Sequence, residues 1–372
     1  MNDNKNHDIE VLRTLAIVFV ILAHIAALLS PESAYWKILD ISKFGSGVDL
    51  FFCVSGFIIA KSILDQIPKD RTLSSFLNFS LPFWVRRFWR LIPSAFLWVS
   101  ISVVLSILWG GNGVFLPIEV LYKSAFAAVT QTSNFYFSEC RPLGACGDLG
   151  IYWSLSLENQ FYLLLPVIAF LMPRKLIYFF VAVFIAQFFL PRTLNASTPF
   201  MWALRTDAIA LGVIIAILNK RIINSETIKS LNGRINHPLP IFIILTILLA
   251  IFASPKPIVF FSVGLTALLS GVFVLIASMN INVFSSNMIV RKVCDYIGSR
   301  SYSIYLTHVV MISVVKSIFF NEHTDFSLYM ELTYISLFLA LTLIFSELNY
   351  RFIEVPFRKY GKAKSIAMHS PA

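Results

Sequence analysis

Long apolar runs recur from one end of this chain to the other, and that recurrence constrains the fold more than any single motif. They fall at roughly 9–30, 47–64, 82–109, 151–171, 175–190, 200–218, 239–253, 257–280, 300–320 and 328–349. Runs of this length cross hydrocarbon as helices, the shorter ones with tilt or local thinning. Lipid admits only structures that satisfy their own backbone, which leaves helices and closed barrels. These runs are continuously apolar and do not alternate, so the expected fold is an all-α polytopic membrane protein with about ten transmembrane helices. Only 13% of residues are charged, against about a quarter in soluble domains. No room is left for a separate soluble domain. The expected organisation is one membrane domain over 1–359 and a disordered tail over 360–372. The first run is long, contains His24 and lacks a small-residue cleavage site, so it does not read as a secretory signal.

Charge sets the expected topology. The net charge is +10, which in a soluble protein would suggest nucleic acid. Here the basic residues orient loops and meet anionic headgroups, and no nucleic-acid partner is expected. With ten spans and both termini cytoplasmic, most of the 30 Lys and Arg fall on the cytoplasmic side. The segment 114–131 holds Glu119 and Lys123. An eleventh span there would put the basic loops after it outside, so it reads as re-entrant or interfacial. Cys140 and Cys146 share one polar loop on the outer side, where a local disulfide is expected. Their spacing is not that of a zinc site, and neither a metal nor a permanently bound cofactor is expected.

Within the apolar runs sit ionisable residues that are costly in lipid, on the order of 2.5–3.5 kcal/mol each or more. The first helix carries Glu10, Arg13 and His24. His24 is about three turns past Arg13 on nearly the same face, roughly 16 Å along the axis. The second opens with FGSGVDLFFCVSGF, which places Asp49 near its start and Ser55 near mid-membrane; Asp49 reads as a cap or as a functional carboxylate. The third begins PFWVRRFWRLIP. Arg87 and Arg90 share a face there, and the planar guanidinium fork suits phosphate; positive-inside anchoring explains one or two of these arginines as well.

The fourth helix, YWSLSLENQFY, repeats polar residues at Ser154, Glu158 and Tyr162, one face, just after Tyr152 and Trp153. In MWALRTDAIALG, Arg205 and Asp207 are two apart, so each looks to another helix for a partner. In SRSYSIYLTHVV, Ser301, Tyr305 and His308 share a face; His308 is either a second catalytic histidine or a satisfied buried one. The closing SELNYRFIEVPFRK puts Glu347 in a buried setting and Glu354 in a basic one where a surface ion pair suffices.

These motifs, in this order and from residue 10 to about 359, resemble the membrane acyltransferase-3 family of bacterial O-acyltransferases. They are LRTLAIVFVILAHIA, GVDLFFCVSGFII, RRFWRLIP, YWSLSLENQFYLLLP, RTDAIALG, GSRSYSIYLTHVV and ELNYRFIEVPFRK. Two positions depart from the family pattern: Glu158-Asn159 stands for a usual acidic pair, and Thr307 replaces a tryptophan often found before the helix-nine histidine.

The resemblance implies transfer of an acyl group, usually acetyl from cytoplasmic acetyl-CoA, to a hydroxyl of a glycan or glycolipid such as lipopolysaccharide O-antigen. The implied location is the bacterial inner membrane. The implied type is the standalone one, without an SGNH hydrolase-like domain. On that reading Arg13, Arg87 and Arg90 hold the CoA phosphates. His24 serves as base or acyl carrier, since its reference pKa is about 6.5. Glu158 and Asp49 orient the acceptor or His24, with Ser55, Tyr152, Trp153, Arg205, Asp207, Tyr305 and His308 in support. The rival class is a glycolipid or sugar exporter, which the intramembrane ionisable residues would also suit. An internal repeat, a frequent mark of transporters, is not seen. A glycan polymerase or ligase would need a large outer loop, which only 110–150 approaches. Acceptor sugar, acyl chain and oligomeric state are not readable from the sequence.

Overall fold

The protein is described by a computed structural model over residues 5–42, 44–190, 205–224, 238–254, 259–321 and 323–368. Among these residues it is helical throughout, with no strand beyond one isolated bridge between Gly110 and Phe115. Helix α1 (His7–Ile25) starts at Asn6, whose side chain accepts from the Ile9 N–H at 3.1 Å. A tight turn carries it on to Leu28. Short α2 (Tyr35–Ile41) precedes α3 (Ser46–Ile63) and long α4 (Leu73–Trp109). Two short helices, α5 (Ile118–Val129) and α6 (Ser133–Cys140), lead to α7 (Tyr152–Leu171) and α8 (Leu176–Phe188). Then come α9 (Asp207–Asn224), α10 (Pro238–Phe252) and α11 (Ser262–Ser278). Long α12 (Met288–Phe319) precedes α13 (Leu328–Asn349). That helix passes through a π turn, Tyr350–Glu354, into α14 (Val355–Ala367).

Among the described residues, six helical segments are long and apolar enough to cross a membrane: His7–Leu28, Ser46–Gln66, Leu73–Trp109, Gly147–Leu171, Met288–Phe319 and Leu328–Ala367. Four shorter apolar helices lie at Leu176–Phe188, Asp207–Asn219, Leu239–Phe252 and Ser262–Ser278. The segment expected to be re-entrant or interfacial contains α5, 12 residues long. At 1.5 Å per residue α5 covers about 18 Å, short of a hydrocarbon core of about 30 Å.

Two apolar cores are joined by α1. Leu12 and Phe19 belong to the core built by α3, α7, α9 and α11, while Ile17 and Val20 belong to the one built by α4, α12 and α13. Without a hydrophobic drive between helices in lipid, close backbone approach matters more, and small residues permit it. A Cβ on Gly56 of α3 would sit 2.2 Å from the Ile209 carbonyl oxygen of α9. One on Gly212 of α9 would sit 2.2 Å from the Cys53 carbonyl oxygen of α3. The buried Asp8 carboxylate accepts from the backbone N–H groups of Val283, Phe284 and Ser285 at 2.9–3.0 Å, which fixes the start of α1 on the turn after α11.

Several boundaries differ from the sequence reading. α4 begins at Leu73, capped by Thr72 onto the Ser75 N–H, and runs through both Pro82 and Pro93. Proline read as a helix start is here an interior residue, which packed membrane helices tolerate. α12 begins at Met288 because the Asn287 side chain accepts from Ile289 and Val290, so the charged stretch before residue 300 is helix and not loop. Residues 360–367, expected as tail, are helical, and 369–372 lie outside the described residues. Trp89 of α4 holds α14 in place: it stacks on Phe357 and meets Tyr360, with Gly361 packed against the same indole. The expected span starts at 200 and 257 also lie outside the described residues. Glu354 is not a surface group: the π turn brings it inside, where it is 1% exposed. Glu347 takes Arg300, Arg351 and the Tyr296 hydroxyl instead.

Candidate active site

A cleft with about 770 Å³ of open space lies among α1, α3, α4, α7 and α12. Its walls hold Arg13, Arg87 and Arg90, the hydroxyls of Ser55, Ser154, Ser301, Tyr162 and Tyr305, and the Glu158 carboxylate. Arg13, Arg87, Arg90, Ser55, Glu158 and Tyr305 were sequence candidates, Ser154, Tyr162 and Ser301 share helix faces with two of them, and five separate helices bring them to one space. Apolar side chains of α3, among them Phe51, Phe52 and Ile58, supply much of the rest.

One end of the cleft is cationic. The Arg87 guanidinium lies over the rings of Phe83 and Tyr162, at 5.7 and 5.6 Å from their centroids. Arg13 reaches Glu10 at 3.5 Å on its own helix. The Nε of Arg90 and the Oγ of Ser301 are buried and make no hydrogen bond among the described residues. A buried donor left unsatisfied costs about 1–3 kcal/mol, so both suit an accepting group brought in by a ligand. A buried polar network backs this end. Asn349 donates to Ser303 at 2.8 Å and to Ser94 at 3.3 Å, and Ser303 donates to Glu354 at 2.8 Å. Sequence reading passed over Asn349 and misjudged Glu354, because the π turn that redirects them leaves no mark in the residue pattern.

In the middle, Glu158 of α7 accepts from the Ser55 hydroxyl of α3 and from the Tyr162 hydroxyl one turn on. Two hydroxyl donors satisfy a carboxylate that would otherwise be expensive in this setting. At the far end, Ser154 and the Tyr305 hydroxyl share a hydrogen bond of 2.6 Å, and the Tyr305 hydroxyl also reaches the Ile151 carbonyl oxygen at 3.1 Å.

His24 does not line this cleft. It lies past Tyr305, beside fully buried His308. The Tyr305 carbonyl oxygen accepts from His308 Nδ1 at 2.7 Å, and His308 Nε2 faces His24 Nδ1 at 3.4 Å. His24 Nδ1 is also 2.8 Å from the Val20 carbonyl oxygen. A carbonyl only accepts, so His24 Nδ1 carries its proton and Nε2 keeps a lone pair. The two imidazoles meet edge to face with centroids 5.0 Å apart.

Asp49 stands elsewhere. Its two carboxylate oxygens take the Arg205 guanidinium at 2.9 and 2.5 Å, a bidentate pair between α3 and a residue just before α9. Arg205 lies over the Trp153 ring at 5.6 Å. The expected cross-helix partner of Arg205 is thus Asp49, and the pair neither lines the cleft nor touches His24. Asp207 is the first residue of α9 and fully buried, where a carboxylate suits the positive helix end. Tyr152 donates to the Ala95 carbonyl oxygen at 2.9 Å and ties α7 to α4. Cys140 and Cys146 form the expected disulfide, closing the loop that leads into α7.

The chain matches a family described as "Acyltransferase domain" over residues 6–348. It is 28% identical over 380 residues to the peptidoglycan O-acetyltransferase OatA of Listeria monocytogenes, covering 95% of this chain and 56% of that protein. It is 26% identical over 381 residues to the O-acetyltransferase OatA of Staphylococcus aureus, covering 94% of this chain and 57% of that protein. The chain therefore spans little more than half the length of these curated relatives. No solved structure matches it. With nearly its whole length inside the matched domain, the chain belongs to the acyltransferase-3 family.

Proposed function

We propose that the protein is a multi-pass acyltransferase of the bacterial inner membrane that moves an acyl group, most simply acetyl, from cytoplasmic acyl-CoA to a hydroxyl of a cell-envelope glycan. The observation that carries this reading is the placement of three arginines in a cleft also walled by Tyr305, whose carbonyl holds His308 against His24, a histidine with a free Nε2. CoA is polyanionic at one end and a thioester at the other. Arg87, Arg90 and Arg13 suit its phosphates, and the polar mid-cleft around Glu158 suits the amides of its arm. His24 Nε2 accepts the proton of the acceptor hydroxyl while that oxygen attacks the thioester carbonyl, and the proton passes to the leaving thiolate sulfur. Acyl transfer by way of His24 uses the same lone pair. We infer ten spans from the six long and four shorter apolar helices, and cytoplasmic termini from the distribution of Lys and Arg. In that orientation the arginine end opens inward, and the disulfide loop and His24 lie toward the outside.

The name of the Listeria relative, a peptidoglycan O-acetyltransferase, favours a glycan acceptor. Lipopolysaccharide O-antigen and peptidoglycan both offer secondary and primary sugar hydroxyls. Mass spectrometry of both glycans from the host, with and without the gene, tests the reading. A discrete acetyl-sized difference on one of them is expected. Loss of a whole glycan would replace the enzyme by an exporter, and no change in either would remove the acceptor class.

A further inference from the structure

His308 was the residue whose part the sequence left open, and its surroundings are specific. It lies on α12, 0% exposed, three residues past a tyrosine that lines the cleft. Its Nδ1 is 2.7 Å from the Tyr305 carbonyl oxygen, which has no proton to give, so Nδ1 is the donor. In the neutral ring Nε2 is then an acceptor, and it points at His24 Nδ1 from 3.4 Å. His24 Nδ1–H therefore has two acceptors, the Val20 carbonyl oxygen at 2.8 Å and His308 Nε2. A proton on His308 Nε2 would set N–H against N–H, so the arrangement holds only with His308 neutral.

We propose that His308 is the positioning residue for His24, resting on the reading of His24 as the group that takes the proton. Its Nε2 lone pair holds His24 in the tautomer that leaves Nε2 free. When His24 Nε2 gains the acceptor hydroxyl proton, the imidazolium Nδ1–H becomes a stronger donor, and His308 with the Val20 carbonyl accepts from it. The contact is stronger after proton transfer than before, which is the condition for speeding the step and not merely for binding. The logic is that of a carboxylate behind a catalytic histidine, with a neutral imidazole in the carboxylate's place. The Tyr305 carbonyl completes the relay by orienting His308. Because Tyr305 also walls the cleft, the orientation of the pair is tied to the packing around the donor site.

The test compares His308→Phe, which keeps a ring against His24 but no acceptor, with His308→Gln, whose amide oxygen can accept. Each full-length variant is assayed in membranes with radiolabelled acetyl-CoA and envelope glycan from a strain lacking the gene, alongside wild type and His24→Ala. The Phe variant is expected to lose about 10- to 100-fold in kcat, the range for a hydrogen bond to a charged group, with KM for acetyl-CoA within about twofold. The Gln variant is expected to recover to within about tenfold of wild type. In a His24→Ala background, His308→Phe should remove nothing further. Wild-type kcat in the Phe variant with His24→Ala inactive would overturn the positioning role and leave the reading of His24 intact. A Gln variant that folds yet is as inactive as His24→Ala would also overturn it, and this comparison stands even if the Phe variant fails to insert. Full activity of His24→Ala would instead overturn the reading on which the inference rests.

Discussion

Arg90 is the residue whose state in the structure most asks for a ligand. Its Nε is buried without a partner among the described residues, while Arg87 beside it is held by two aromatic faces. The two therefore should not behave alike. Arg90→Ala removes a donor that is unsatisfied in the ligand-free protein, so it is expected to raise KM for acetyl-CoA about 10-fold or more with little loss of stability. Arg87→Ala is expected to raise KM and also to loosen the packing of Tyr162 and, through it, Glu158. Steady-state kinetics against acetyl-CoA, with thermal unfolding in detergent, separates the two; identical KM for both variants and wild type would make them topological anchors. Glu158 is next in importance. Its partners Ser55 and Tyr162 leave it satisfied, so Glu158→Gln keeps hydrogen-bonding capacity and Glu158→Ala strands two hydroxyls. Transfer should fall further in the Ala variant, and equal activity in both would show that the carboxyl has no part beyond packing. The residue types and their helical spacing made this site legible in the sequence: Arg87 with Arg90, and Ser154 with Glu158 and Tyr162, were already on single faces. Distances between helices were not legible. Asp49 and Arg205 lie 156 residues apart in the chain, and nothing local says that they pair.

Elements fail to announce themselves in sequence for two reasons here. Prolines 82 and 93 are helix breakers in water but interior residues of α4. The π turn at Tyr350–Glu354 adds a residue to a continuous helix and rotates α14 relative to α13, so a glutamate read as surface is buried. The apolar runs, by contrast, marked in sequence where the six long and four shorter apolar helices of the described residues lie. The crossing of α3 and α9 carries a sharp stability prediction. Gly212→Ala places a methyl 2.2 Å from the Cys53 oxygen and 2.7 Å from the Phe57 nitrogen, both backbone atoms that cannot step aside. The helices must part, at a cost of about 1–3 kcal/mol. A lower unfolding temperature in detergent is expected. An unchanged midpoint for Gly212→Ala would mean that this contact is not close in the membrane.

On the proposed topology a series of polar groups runs from one side of the membrane towards the other. The arginine end, the Glu158 hydroxyl cluster, Tyr305, His308 and His24 succeed one another across the bundle. The proposed topology, with an inner donor and an outer acceptor, would put the Cys140–Cys146 disulfide outside. A membrane-impermeant phosphine applied to cells with a permeabilised outer envelope should expose both thiols to labelling without opening the inner membrane, and protection until the inner membrane is lysed would invert the topology. The proposed mechanism needs the Nε2 lone pair of His24, as base or as acyl carrier. The most direct measurement of that need is transfer of label from acetyl-CoA to envelope glycan by membranes carrying His24→Ala at wild-type abundance. The predicted result is a loss of transfer of at least about 100-fold, the lower range for removing a general base. Transfer at the wild-type rate would contradict it.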